Sequence, residues 1–134
     1  MGYTHVTVSV SNLQKSKPPY TASFLVDTGA VVCLAPANEL RDAGIEPEGR
    51  EAYELANGTP VEYDYGFARL SFMGSDTVTK IIFGPAGVEP LLGITALESV
   101  GIGVDPVTQT LKRYAALPLK TKRTVGARAM GRYD

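Results

Sequence analysis

The chain has 134 residues, 44% hydrophobic and 20% charged, with a formal charge of -1, one Cys, one His and no Trp; this is the composition of one folded domain. No apolar run reaches the ~18 residues of a membrane-crossing helix, and MGYTHVTVSV has neither the basic start nor the apolar core of a signal peptide, so a cytoplasmic protein without a membrane partner is expected. A lone Cys33 excludes an internal disulfide, and with the lone His5 it makes neither a structural zinc site nor a Ser-His-Asp or Cys-His enzyme, which leaves carboxylates for any catalysis.

Charge divides the chain. Residues 1–119 carry a net -5 and residues 120–134 a net +4. The compact domain is therefore placed at 1–119. The last segment, KTKRTVGARAMGRYD, has too few large apolar residues to order itself, and is read as a basic, solvated tail with no nucleic-acid partner expected.

The body reads as β-structure. Tyr3 to Val10 alternates strictly, with Tyr3, His5, Thr7 and Ser9 on one face and Thr4, Val6, Val8 and Val10 on the other, as a half-buried strand does. Ser11 to Pro19 is a connection, and a second strand starts near Tyr20 and runs through Phe24-Leu25-Val26 into Asp27-Thr28-Gly29. AVVCLA resumes a strand pattern in which Cys33 is expected to be a small buried hydrophobe. Pro36 opens a short helix that Gly44 closes. Extended pattern returns from Arg50 to Phe83, with Asn57-Gly58 predicting a type I′ hairpin between REAYELA and TPVEYDYGFARLSF. Gly84 to Pro90 is a turn-rich loop lacking the Gly-Lys-Ser/Thr ending of a phosphate loop. Leu91-Leu92-Gly93 then leads into a second short helix, ITALESVG, and IGVDPVTQTLKRY reads as strand, turn at Asp105-Pro106, and strand.

Asp27-Thr28-Gly29-Ala30 carries the chemistry. It sets a carboxylate on a polar turn between two apolar strands, where neighbouring side chains withdraw it from water. The Thr28 hydroxyl can hold the turn, Gly29 admits a close backbone approach, and Ala30 keeps the surroundings small.

FLVDTGA, followed in order by a strand, a short helix, an Asn-Gly hairpin and PLLGITALESVG, resembles the retropepsin-type (retroviral-like, clan AA) aspartic proteases over roughly residues 4 to 115, and more closely the small bacterial and retroelement-like members than the viral ones. The resemblance implies an all-β fold with one or two short helices: a single-lobe, closed β-barrel that forms a homodimer, since the chain holds one such aspartate. It further implies an aspartic endopeptidase acting on an extended peptide or protein substrate, with no cofactor. Asp27, Thr28 and Gly29 would form the catalytic turn, with Thr28 bracing the two turns of the dimer against each other. Ala30 would line the substrate site, and Asn57 and Gly58 would sit in a hairpin flap that closes over the peptide. Leu92 and Gly93 would pack beneath the turns. Two departures stand out: Val31 and Val32 occupy positions where viral members carry acidic residues that hold the substrate backbone, and Ile94, Thr95 and Ala96 replace an Arg-containing helix start. The rival reading is a catalytically inactive module of the same fold that dimerises or binds peptides.

Overall fold

The alternation that marks the first strand in the sequence is the alternation of a barrel wall. In β1 (His5–Ser11) Val8 and Val10 point into the interior while His5 and Thr7 stay in water. His5 meets Glu89 at 3.0 Å on the surface. The computed structural model describes residues 4–114, so Tyr3 and the basic segment 120–134 lie outside the described residues. The chain continues through β2 (Tyr20–Asp27), β3 (Cys33–Pro36), α1 (Ala37–Asp42), β4 (Gly49–Glu54), β5 (Pro60–Phe72), β6 (Ser75–Gly84), β7 (Leu91–Gly93), α2 (Ile94–Ser99), β8 (Ile102–Val104) and β9 (Leu111–Arg113). Among these residues no helix is long and apolar enough to cross a membrane.

Six strands close on themselves in the order β1-β2-β7-β3-β6-β5, and β5 pairs back onto β1. The long β5 makes closure compatible with a projecting hairpin: Pro60–Tyr65 pair with β4, and Arg69–Ser71 pair with β1. Gly66 stands between the two halves, where an added Cβ would lie 2.7 Å from the Glu46 carbonyl oxygen. The interior is filled by Val8, Val10, Phe24, Cys33, Ala35, Ala68, Leu70, Phe72, Ile81, Phe83 and Leu92, with Leu40 of α1 and Ala96 and Leu97 of α2 packed against them. Burying such side chains stabilises the fold by about 1.5–3 kcal/mol for each large one. β8 and β9 form a separate two-stranded ribbon beside α2. The expected fold class, a mostly β single lobe with a closed barrel and two short helices, is the observed one.

Both helices are six residues long. α1 ends as the sequence predicts: Gly44 adopts φ +84°, its N–H reaches the Arg41 carbonyl at 2.9 Å, and the Ile45 N–H reaches the Leu40 carbonyl at 3.0 Å. This is the Schellman pattern, which satisfies two carbonyls that the helix leaves open and brings Ile45 onto Leu40 in the core.

The hairpin between β4 and β5 corrects the sequence expectation. Asn57-Gly58 does not make a type I′ turn, because only Gly58 has positive φ (+85°). The Gly58 N–H donates to the Leu55 carbonyl at 2.8 Å and the Leu55 N–H to the Thr59 carbonyl at 2.9 Å, so the loop is a type I turn followed by a glycine bulge. The physical reason is register. The observed pairing sets Tyr53 opposite Val61 and Glu51 opposite Tyr63, all on one face. The predicted two-residue turn would slip the strands by one and place Tyr53 opposite Glu62, separating it from the Tyr63 ring on which it stacks. A two-residue turn with both central residues at positive φ occurs instead between β5 and β6, at Met73 (+50°) and Gly74 (+78°).

Candidate active site

Asp27 is the last residue of β2, half-buried, and its turn is held by its own carbonyl and carboxylate, not by the Thr28 hydroxyl as the sequence suggests, since that exposed side chain makes no hydrogen bond among the described residues. The Ala30 N–H donates to the Asp27 carbonyl at 3.1 Å, and the Gly29 N–H donates to Asp27 Oδ1 at 3.0 Å. The second bond fixes one oxygen of the carboxylate, and no other protein group among the described residues bonds the acid. A Cβ on Gly29 would sit 3.3 Å from that oxygen, so the glycine leaves the carboxylate its room.

The strand beneath the turn arrives from a distant part of the chain. β7 lies between β2 and β3, parallel to the first and antiparallel to the second, with Val26 beside Leu92 and Asp27 beside Gly93. α2 then clamps the segment after the turn: the Ile94 N–H donates to the Ala30 carbonyl at 2.8 Å and the Thr95 N–H to the Val31 carbonyl at 3.2 Å. This crossing requires a residue without a side chain at position 93. A Cβ on Gly93 would lie 2.6 Å from the Val32 carbonyl oxygen and 3.0 Å from that of Ala30. Leu92 is fully buried below, as the resemblance implies. The Gly93 N–H points at Cys33 Sγ, 3.4 Å away. Burial pushes the Cys33 thiol up to about 11, only partly opposed by that N–H. Cys33 is therefore the inert core residue that its apolar strand predicts.

A groove of about 700 Å³ opens at Asp27. One wall is formed by the turn and the start of β3, with Gly29, Ala30, Val31, Val32 and Leu34; the other is the β4–β5 hairpin, with Glu51, Tyr53, Glu54, Leu55, Ala56 and Tyr63. Lys80, Ile82 and Leu91 contribute the remainder. Hydrogen bonding with Lys80 draws the Glu51 carboxyl below the usual carboxylate range, and burial, then Glu51 itself, pushes the Tyr53 hydroxyl up to about 12.

The structure thus brings Asp27, Gly29 and Ala30 into one groove with the hairpin. Thr28 is exposed and turns elsewhere, into a second depression of about 680 Å³ shared with Ile94, Glu98, Ile102 and Tyr114. Asn57 and Gly58 stand at the hairpin tip, outside the groove lining, and the Asn57 side chain accepts the Thr59 N–H at 3.0 Å within its own turn. Sequence reasoning missed Glu51, Tyr53, Tyr63 and Lys80. The first three become visible once the hairpin register is right, because that register alone puts them on one face; Lys80 carries no local signal.

No family model matches the sequence, and no curated protein matches it. Among solved structures, the fold is similar to the solution structure of the simian foamy virus (mac) protease, with 14% identity and a TM-score of 0.50, covering 70% of this chain and 91% of that one. The chain therefore has a retropepsin-like fold.

Proposed function

We propose that the protein is an aspartic endopeptidase in which Asp27 from each of two chains forms the catalytic dyad. The observation that carries this reading is the placement of Asp27, on a self-bonded turn over a crossing strand, in a groove walled on its other side by a hairpin. Two carboxylates about 3 Å apart cannot both ionise, so the pair holds one proton. The ionised Asp27 takes a proton from a water that attacks the peptide carbonyl, while the protonated one donates to the developing oxyanion; the leaving amine is protonated as the bond breaks. Thr28, exposed beside a depression lined by Ile94 and Ile102, is suited to meet the second chain there. The hairpin wall, rich in Tyr and Leu, would exclude water from the bound peptide.

The test compares parent and Asp27→Asn protein on a peptide library between about pH 4 and 7. The substitution keeps the shape of the turn but removes an exchangeable acid, so cleavage is expected to fall about 10²–10⁴-fold while the thermal midpoint stays close to the parent's. Full activity in the variant rejects the dyad. Peptide binding without cleavage by the parent would identify the inactive, peptide-binding form of the same fold, which the apolar Val31 and Val32 wall also suits.

A further inference from the structure

Beyond Asp27, and Glu54 near the hairpin tip, the walls of the groove are mainly Val, Leu, Ile, Ala and Tyr, and the ion pair inside it, Glu51 with Lys80, stands on the hairpin side. Lys80 on β6 and Glu51 on β4 are separated by the whole of β5. The ammonium crosses over the Tyr65 ring, 4.2 Å from its centroid, and reaches Glu51 Oε1 at 2.5 Å. The Tyr53 hydroxyl donates to the same oxygen at 3.2 Å. Each partner keeps an unused capacity. Glu51 Oε2 has no hydrogen-bond partner among the described residues, and the three-donor ammonium has spent one N–H on Glu51 and rests on the Tyr65 ring. The two side chains remain 46% and 26% exposed, toward the groove.

An ion pair of this kind has no net charge and offers an acceptor next to a donor. Its complement is a neutral group with a donor next to an acceptor, which among side chains is the primary carboxamide. A Lys or Arg side chain would satisfy Glu51 but face Lys80, and Asp or Glu would do the reverse. An aliphatic chain would strip water from both partners without replacing it. The opposite wall, Val31 and Val32, supplies no side-chain hydrogen bond that could compete.

We propose that the Glu51–Lys80 pair is the specificity element of the groove and reads an Asn or Gln side chain of the bound peptide. Glu51 Oε2 accepts the amide N–H, and Lys80 Nζ donates to the amide carbonyl. This rests on the reading of the groove as a peptide site, but not on its catalysis.

The experiment measures fluorescence anisotropy of labelled peptides with Asp27→Asn protein, scanning Gln, Asn, Glu, Lys and norleucine through each position of one extended sequence. At one position the carboxamide peptides are expected to bind at least about tenfold tighter than the other three. Glu51→Gln leaves a lone cation and should shift the preference there to Glu; Lys80→Met leaves a lone carboxylate and should shift it to Lys. Opposite shifts mark direct contact, because a purely structural pair would weaken all peptides alike. An unchanged ranking in both folded variants overturns the assignment, as does binding with no carboxamide preference. Carboxamide-selective binding without cleavage by the parent upholds it while rejecting the protease reading; unselective cleavage does the reverse. Failure of every peptide to bind overturns both.

Discussion

Asp27 was legible from its neighbours because the cause of its geometry is local: an apolar strand ends, a carboxylate oxygen accepts the N–H two residues on, and a glycine leaves space. Gly93 was legible as a glycine but not in its reason. Its backbone has φ -84°, which any residue adopts, and only the crossing of Val32 and Ala30 above it forbids a side chain. Gly93→Ala should therefore destabilise the fold by about 1–3 kcal/mol, as overpacking does, read as a lower denaturation midpoint, and it should displace the Asp27 turn and lower activity beyond the loss of folded protein. Cys33 makes a pH prediction. Its folded pKa is raised from 9.0 to about 11, so folded and unfolded chains both hold the proton below pH 9, and between pH 9 and about pH 11 only the unfolded chain loses it. Stability falls across that window. Denaturation at pH 8 and pH 10 should show a drop in the parent that is smaller in Cys33→Ala.

At the scale of elements, α1 shows where sequence signals suffice. Pro36 precedes the helix, and Gly44 ends it in the one backbone region that glycine enters freely. Gly44→Ala should cost about 1–2 kcal/mol from the positive φ, and more from contact, since its Cβ would come within 2.7 Å of Asn12 Nδ2. The change is measured by urea unfolding, with little expected effect on the groove. The β4–β5 hairpin shows where such signals mislead. Asn57-Gly58 marks a turn correctly, yet its type is decided by which tyrosines must share a face, and the strands' side-chain packing outweighs the local preference of the dipeptide.

At the scale of the molecule, barrel closure puts every long pairing in place at once: β1 with β5, β2 with β7, and β3 with β6. A single lobe presents a single Asp27, so the proposed dyad requires a second copy. Activity per chain should then rise with protein concentration and fall on dilution, tracking the dimer fraction from sedimentation equilibrium. Activity that is proportional to chain concentration down to a fully monomeric sample would reject the two-chain site.

The sequence by itself determined the strand alternation, the two short helices, the presence of a polar turn at Asp27 and the burial of Cys33, because each depends on residues within about one turn or one strand of each other. Only the tertiary structure decided that β7 threads between β2 and β3, that the hairpin carries a bulge, that Thr28 faces away from the groove, and that Lys80 reaches Glu51 across β5. Those outcomes depend on strand order and register among segments far apart in the chain, and they settle together only when the barrel closes around its core.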